Sequence, residues 1–275
     1  MKKYLVIGNP INHSLSPELH NYWLKKNNIN GIYGKQKLDN NNLEKLISRI
    51  RNKEITGLNI TVPFKKEVIS YIDRLTPEAE DTQSVNTILL VKDKVVGYNT
   101  DVIGFEKAII DTKYDLFGKK ILVLGAGGVV PSIILALYKM KVFNVTLSNR
   151  TKIKAEDLRD YYNSVKVVDE GWNKVEVIDW GEIKEFDMVI NATSIGLKND
   201  QNLDLDFSKV GNEKFFYDLI YNPKETNFLK IGKKFGNKTE NGKKMFIYQA
   251  AKAFKIWHGV EPKINEQVIG LLDKW

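Results

Sequence analysis

Short apolar runs alternate along almost the whole chain with stretches whose apolar residues recur at helical spacing. The runs predict strands at 2–8, 32–38, 57–63, 121–124, 145–150, 186–194 and 214–223, and a hairpin at 87–101 that turns at Lys92–Lys94. The helical stretches lie at 16–27, 41–52, 64–73, 131–140, 151–163 and 243–257. Such alternation is typical of α/β proteins with parallel sheets. Residues 171–185 fit neither pattern.

Length and composition indicate a globular protein of two domains. The chain has 275 residues, and a domain takes roughly 100–200. A junction near residues 102–118 precedes the continuous apolar run Ile121–Leu124, which opens the second series of strands and helices. Hydrophobic residues make up 43% of the chain, which is enough to bury a core and excludes disorder as the main state.

The sequence also excludes several classes of protein and of site. No apolar run approaches the ~18 residues of a membrane helix, and Tyr4–Ile7 is too short for a secretory signal, so we expect a cytoplasmic protein without a membrane partner. The absence of cysteine excludes disulfides, thiolate metal sites and cysteine nucleophiles. His13, His20 and His258 are too few for a zinc cluster, so no metal is expected.

The net charge of +8 raises the question of nucleic-acid binding. Only five of the 42 basic residues are arginines, the type best suited to bidentate phosphate and base contacts, and the lysines are scattered. No nucleic-acid-binding motif is present, so we expect no nucleic-acid partner. A small anionic substrate or cofactor explains a positive field at least as well.

A glycine-rich turn follows the predicted strand Ile121–Leu124 and precedes a predicted helix. It consists of Gly125, Ala126, Gly127 and Gly128. Glycines in this position let the backbone turn sharply and approach a pyrophosphate held at the helix N-terminus. The third position of the dinucleotide fingerprint is Val130 instead of glycine or alanine, and Pro131 is tolerated in the first helical turn. The context predicts dinucleotide binding.

The end of the next strand distinguishes NADP from NAD. An NAD enzyme usually carries Asp or Glu there to bind the ribose 2′-hydroxyl. This chain carries Asn149, Arg150 and Thr151, followed by Lys152 and Lys154. A guanidinium beside hydroxyl and amide groups would receive a 2′-phosphate, which a carboxylate would repel. The pattern favours NADP over NAD.

Small polar residues gather at the predicted element ends of the first hundred residues. Ser14 and Ser16 flank the start of the first helix, where Ser16 is expected as N-cap with Pro17 in the first turn. Further positions are Asn59 and Thr61, which project to one side of a strand end, Lys65, Asn86, Asn99 and Asp101. Taken singly, each is typical of a cap or turn. Their density suggests a ligand site.

Together these motifs resemble the NADP-dependent shikimate dehydrogenase family. The matching stretches are GNPINHSLSPELHN, LNITVPFKKEV, SVNT, GYNTDVIGF, LGAGG, SNRT, NATSIGL, DLIYNP and QAAKAFKIW, in the family's order from Gly8 to Trp257. The resemblance implies an α/β fold of two domains with a cleft between them. Residues 1–102 and 238–275 would form a substrate-binding domain completed by the C-terminal helix, and residues 103–237 a Rossmann-type NADP domain. We expect a monomer or a homodimer, and the sequence does not decide between them.

The resemblance further implies the ligands of each site. Shikimate would be bound by Ser14, Ser16, Thr61, Lys65, Asn86, Asp101, Tyr221 and Gln249. NADP would be bound by Gly125, Ala126, Gly127, Gly128, Val129, Asn149, Arg150, Thr151, Lys154, Thr193, Leu219 and Gly242. Three positions depart from the family: Ser84 where glycine is usual, Val129-Val130-Pro131 where Ala-Ala-Arg is usual, and His258 where threonine is common.

The implied reaction is the reversible, NADPH-dependent reduction of 3-dehydroshikimate to shikimate, in aromatic amino-acid biosynthesis. Lys65 would be the acid–base residue, and Asp101 would orient both Lys65 and a substrate hydroxyl. Alternatives are an NAD-dependent quinate/shikimate dehydrogenase, an inactive NADP-binding regulator on the same scaffold, and a methylene-tetrahydrofolate-type dehydrogenase. The first would carry an acidic residue near Arg150, the second would lack Lys65 or Asp101, and the third would lack the SLS and DLIYNP stretches.

Overall fold

A computed structural model describes residues 1–39, 42–164, 174–198 and 200–273. The chain divides into two compact units. The first comprises Met1–Phe105 and the described residues from Ile247 onward, and the second comprises Glu106–Phe246. The two-domain α/β prediction is confirmed. The return to the first unit comes after Phe246 and not at residue 238, because the strand Lys238–Glu240 pairs with a strand of the second unit.

The first unit is built on a six-stranded mixed sheet. Its strands are β1 (Lys2–Gly8), β2 (Gly31–Lys37), β3 (Gly57–Ile60), β4 (Arg74–Leu75), β5 (Thr87–Val91) and β6 (Lys94–Tyr98), in the order β2-β1-β3-β5-β6-β4. Its helices are α1 (Ser16–Lys26), α2 (Leu43–Arg51), the 3-10 helix Glu67–Tyr71, α3 (Pro77–Thr82), the start of α4 (Asp101–Asp111), most of α8 (Lys243–His258) and α9 (Glu266–Leu271). β5 runs antiparallel to β3 and β6, which gives the predicted hairpin.

Both faces of this sheet are covered. On one face Ile7, Leu58 and Ile60 share a buried cluster with apolar residues of α2. On the other, the Trp257 indole of α8 donates a hydrogen bond of 3.0 Å to the Ile88 carbonyl. A Cβ at Gly57 would lie 2.5 Å from that indole, so the helix sits directly on the strand. The buried faces explain the near-continuous apolar character of β1 and β3.

The second unit is a parallel sheet of six strands. These are β7 (Lys120–Leu124), β8 (Asn144–Ser148), β9 (Val175–Ile178), β10 (Met188–Asn191), β11 (Phe215–Asp218) and β12 (Lys238–Glu240), ordered β12-β11-β10-β7-β8-β9. Its complete helices are α5 (Val130–Lys139), α6 (Lys152–Ser164) and α7 (Asn227–Lys234). This is the doubly wound order of Rossmann domains, whose strand order reverses between β7 and β10. Ligands of such sheets bind outside the carboxyl ends of the strands at that point.

The structure corrects several predicted elements. The segment 64–73 contains only the 3-10 helix, and β3 ends at Ile60 instead of residue 63. Ser16 is the first residue of α1, and the helix has no side-chain cap hydrogen bond. The pattern did not predict β4, α3, α4, α7, β9, β12 or α9, most of which are short. Within the stretch 171–185, which fits neither pattern, residues 171–173 lie outside the described residues.

Within the described ranges, no helix is both long and apolar enough to cross a membrane. The same part of the chain holds no group of three or more histidine, aspartate or glutamate residues placed to bind a metal ion.

Candidate active site

A buried ion pair lies in the first unit, between the start of α4 and the loop after β3. The Lys65 Nζ donates to the Asp101 Oδ2 at 2.6 Å, and the two residues are only 8% and 6% exposed. Lys65 is held by its main chain, because its carbonyl accepts a hydrogen bond of 2.9 Å from the Val85 amide. A charged pair that is so little exposed to solvent requires further polar partners to offset the loss of hydration.

Asp101 has such partners. The Asn86 Nδ2 donates to the Asp101 Oδ1 at 2.9 Å, so each carboxylate oxygen has its own donor. Asp101 is also the first residue of α4, where the helix dipole favours a negative charge. The Asn99 Oδ1 accepts from the amides of Asp101 and Val102 at 3.0 and 3.4 Å, so Asn99 caps this helix. The Asp101 side chain is therefore free of a capping role.

Asn86 is fixed from both ends of its amide. Its Nδ2 also donates to the Thr100 Oγ1 at 2.9 Å, and its Oδ1 accepts from the Thr100 amide at 2.8 Å. The Thr87 hydroxyl donates to the same Oδ1 at 3.0 Å. These buried contacts orient the Asn86 amide nitrogen toward Asp101.

The predicted serines form a second polar group in this unit. The Ser14 hydroxyl donates to the Ser16 Oγ at 3.2 Å. The Tyr33 hydroxyl donates to the Asn59 Oδ1 at 2.6 Å, and the Asn59 Nδ2 donates to the Thr87 Oγ1 at 2.9 Å. Thr87 thereby joins Tyr33 and Asn59 to the Asn86–Asp101–Lys65 group.

The remaining predicted substrate residues are Thr61, Gln249 and Tyr221. Thr61 follows β3, its amide donates to the Ile7 carbonyl at 2.9 Å, and its methyl group would lie 2.5 Å from a Cβ at Gly8. Gln249 is half-buried on α8. Tyr221 lies in the second unit, where its ring stacks on Phe246 with 4.5 Å between centroids.

A cluster of aromatic rings surrounds His20 in the first unit. The His20 ring of α1 stacks on the Tyr33 ring with 4.3 Å between centroids and an angle of 3°. Neither His20 nitrogen has a hydrogen-bond partner among the described residues. Burial lowers the pKa of His20 to about 3, with a smaller contribution from His258. His20 is therefore neutral at physiological pH. Burial likewise raises the pKa of Tyr33, so its hydroxyl stays protonated.

In the second unit, the glycine-rich turn lies at the carboxyl end of β7. Gly125 has a φ of +113°, and its Cβ position is 2.9 Å from the Ala192 carbonyl oxygen at the end of β10, so only glycine fits. A Cβ at Gly127 would have no heavy atom within 4 Å. Ala126 is half-buried, Gly128 is exposed, and Val129 is the N-cap residue of α5. The turn thus leaves open space at the N-terminus of α5.

Basic residues lie beside the end of β8. Arg150 and Lys154 are exposed, whereas the Lys152 Nζ is 2.7 Å from the Asp179 carboxylate. The Asn149 Nδ2 donates to the Thr151 carbonyl at 2.8 Å, which closes the turn between β8 and α6. Arg150 also borders a hollow of about 210 Å³ whose walls include Trp180, Ile195 and Gln201.

The ends of β10 and β11 hold the remaining predicted cofactor residues together. The Asn191 Oδ1 accepts from the Thr193 hydroxyl at 2.7 Å, and the Asn191 carbonyl accepts from the Leu219 amide at 3.0 Å. A Cβ at Gly242 would lie 2.0 Å from the Leu219 carbonyl oxygen, so this backbone approach requires glycine. Thr193, Leu219 and Gly242 therefore border the same strand ends.

A buried carboxylate lies beneath these strand ends. The Asp218 Oδ1 accepts from the Asn191 Nδ2 at 3.1 Å and from the Ile220 amide at 3.0 Å, and its Oδ2 accepts from the Thr226 hydroxyl at 2.5 Å. Burial is the largest effect on this group and raises the pKa of Asp218 to about 6, against the lowering effect of its hydrogen bonds. Asp218 fixes the strand ends on which Thr193 and Leu219 lie.

The sequence does not indicate the roles of Tyr33, Thr87, Thr100 and Asp218. Tyr33 gave the best signal, as an aromatic residue beside glycines in a short strand otherwise rich in polar residues. The other three lie in the motifs quoted above, but nothing in their spacing indicates which side chains they contact.

Models of protein families match three parts of the chain. Residues 6–88 match the shikimate dehydrogenase substrate-binding domain, and residues 107–224 match the family described as shikimate/quinate 5-dehydrogenase. Residues 244–266 match the C-terminal domain of shikimate 5′-dehydrogenase.

Individual proteins match nearly the whole chain. The NADP(+) shikimate dehydrogenase of Pelagibacter ubique is 53% identical over 272 residues, which cover 99% of both chains. A shikimate dehydrogenase solved in complex with NADP+ is 34% identical with a TM-score of 0.91, covering 100% of this chain and 95% of the other. The Thermus thermophilus enzyme, solved with NADP(H) and shikimate, is 29% identical with a TM-score of 0.87, covering 100% and 99%.

Proposed function

Because the chain belongs to the shikimate dehydrogenase family, we propose that it catalyses the reversible NADPH-dependent reduction of 3-dehydroshikimate to shikimate. The buried Lys65–Asp101 pair, at 2.6 Å, is the observation that carries the chemistry. The first unit binds the carbon substrate, and the second binds NADP.

The residues of the second unit fit NADP. The open space at Gly127 admits a phosphate group to the N-terminus of α5, where backbone amides and the helix dipole favour an anion. Residues 148–154 include no carboxylate, so Arg150 and Lys154 would hold the 2′-phosphate. The hollow between Arg150 and Trp180 would take the adenine ring. Thr193, Leu219 and Gly242 would border the nicotinamide.

Ser14 and Ser16 recognise the substrate carboxylate, because paired hydroxyl donors match its two oxygens. The ring hydroxyls are bound by Asn86, Asp101, Thr61 and Gln249, which offer amide, carboxylate and hydroxyl groups.

Lys65 moves the proton. NADPH supplies a hydride to the carbonyl carbon C3 when it is bound. The Lys65 ammonium donates a proton to the C3 oxygen as negative charge develops there, and takes it back in the oxidative direction. Asp101 holds the ammonium by its Oδ2, while Asn86 holds the other carboxylate oxygen, so the ammonium is oriented before substrate binds.

A spectrophotometric assay at 340 nm with shikimate or quinate, against NADP or NAD, tests the function. The wild type should oxidise shikimate with NADP, and absence of this reaction would refute the proposal. Lys65→Met keeps the apolar stem and removes the ammonium, so turnover should fall at least about a hundredfold while NADP binding is kept. Lys66→Met, at the exposed neighbouring lysine, is the matched control and should retain wild-type turnover. Turnover near wild type in Lys65→Met would assign the proton transfer to another group.

A further inference from the structure

An acidic residue, Asp179, lies at a strand end in the second unit, beside the turn that carries Arg150. β8 and β9 are parallel and their last residues, Ser148 and Ile178, pair in register, so Asp179 follows β9 as Asn149 follows β8. The Ser148 hydroxyl donates to the Asp179 carbonyl at 3.2 Å, which joins the two strand ends. The exposed Asp179 side chain therefore brings a negative charge to the end of the sheet where Arg150 also lies.

This carboxylate is paired with Lys152, the first residue of α6. The Lys152 Nζ is 2.7 Å from the Asp179 Oδ1, and the two side chains are 47% and 62% exposed. The hydrogen bond and the charge of Asp179 raise the pKa of Lys152, with smaller contributions from the charges of Glu156 and Glu182. Lys152 is therefore fully charged at neutral pH and offsets the charge of Asp179.

We propose that Lys152 makes the site selective for NADP by neutralising Asp179, and that it does not hold the 2′-phosphate itself. The inference rests on the proposed function, in which Arg150 and Lys154 hold that phosphate. Without Lys152, Asp179 would present an uncompensated carboxylate to a group that carries nearly two negative charges. NAD has a hydroxyl in place of the phosphate, which a carboxylate can bind instead of repelling.

Lys152→Met removes the ammonium and keeps most of the apolar stem. The variant should bind NADP about fivefold to tenfold more weakly than wild type, since water screens the repulsion between exposed charges and limits its size. NAD affinity should stay within about twofold of wild type, because NAD lacks the repelled group. Exposed ion pairs contribute little to stability, so the fold should be kept, and the retained NAD affinity verifies this in parallel calorimetric titrations.

Asp179→Asn tests whether the lysine acts through the carboxylate. Asp179→Asn alone should bind NADP at least as tightly as wild type, because it leaves the Lys152 charge and removes the repelling one. Added to Lys152→Met, it should restore the NADP affinity to within about twofold of wild type. A double variant that stays weaker than this would show that Lys152 holds the phosphate itself, and would overturn the inference.

Lys120→Met is the matched control. Lys120 forms a similar pair with Glu185 at 2.5 Å, with side chains 40% and 73% exposed, in the same unit but at the amino end of β7. Loss of this charge should leave NADP affinity at the wild-type value, since salt screens charges at such a separation. An equal loss of NADP affinity in Lys120→Met and Lys152→Met would indicate net charge alone and overturn the inference. Unchanged NADP affinity in Lys152→Met would also overturn it.

Failure of the proposed function would give a different result in the same experiments. A wild type that neither binds NADP nor oxidises shikimate would refute the proposed function. A wild type that binds NADP and oxidises shikimate, with an unaffected Lys152→Met or an unrestored double variant, refutes only the role of the Lys152–Asp179 pair.

Discussion

Lowering the pH from 7 to 5 should destabilise the fold through His20. This side chain is 1% exposed and packs among Trp23, Tyr33, Phe254 and Trp257. Burial, and to a smaller extent the charge of His258, lowers the pKa of His20 from 6.5 to about 3. Between these two pH values the unfolded chain binds a proton that the native state does not bind, so the free energy of unfolding falls as the pH falls.

The size of this loss in unfolding free energy follows from how far the pH lies below the pKa of the unfolded histidine. Each pH unit below the pKa of the unfolded histidine costs about 1.4 kcal/mol. Since pH 5 lies about 1.5 units below the ordinary pKa of 6.5, His20 should cost the native state about 2 kcal/mol there. This is a substantial fraction of the ~5–15 kcal/mol by which a typical protein is stable.

Denaturant unfolding of wild type and His20→Phe at pH 7 and pH 5 measures this cost. The phenyl ring keeps the stack on Tyr33 and removes two nitrogens that lack partners among the described residues. The two proteins should be within about 1 kcal/mol at pH 7, and the variant should be about 2 kcal/mol more stable at pH 5. His13→Ala, at an exposed histidine, should follow wild type. A parallel loss of stability in wild type and His20→Phe would show that His20 does not cause acid destabilisation.

Three further changes test the second unit. Arg150→Ala should weaken NADP binding roughly tenfold to a hundredfold and NAD binding much less, as measured by titration, since one charge-assisted contact contributes about 1.5–3 kcal/mol; equal weakening would refute phosphate recognition by Arg150. Gly127→Ala should leave Tm unchanged, because a Cβ there meets no atom within 4 Å, but reduce NADP affinity at least about tenfold; retained affinity would place the pyrophosphate elsewhere. The pKa of Asp218 is raised from 3.8 to about 6, so wild type should lose up to about 3 kcal/mol relative to Asp218→Asn as the pH rises from 4 to 7; a constant difference in unfolding free energy would contradict this.

The buried strands could be predicted from the sequence because strands buried on both faces consist of apolar residues. Ile121–Leu124 is covered on both faces, so every residue of the run is apolar. The glycine turn after it was predictable for a related reason, since Gly125 adopts a φ of +113° that other residues avoid. The order of the strands was not predictable from these runs, because pairing of β7 with β10 joins segments more than sixty residues apart.

The hydrogen-bonding roles of the polar residues were less predictable. Ser16 in a Ser-Pro pair at a helix start has the pattern of an N-cap, yet its Oγ accepts from the Ser14 hydroxyl and α1 has no side-chain cap hydrogen bond. Conversely, Asn99 caps α4, although that helix was not predicted and the pattern at Asn99 is typical of a cap or a turn alike. Local capping and distant hydrogen bonding use the same short polar side chains, so the choice between them depends on tertiary contacts.

The buried Lys65–Asp101 pair explains why so many hydroxyl and amide groups surround it. An ion pair removed from solvent contributes little net stability, but loss of one partner leaves an uncompensated charge and costs about 3–5 kcal/mol. Asn86 and the N-terminus of α4 reduce that cost by stabilising the carboxylate independently of the lysine. The same contacts would hold Asp101 in place during the proton exchange that we propose for Lys65. The polar neighbours therefore serve folding and chemistry together, and the loss of turnover in Lys65→Met must be measured below the variant's own unfolding transition to report on the proton transfer alone.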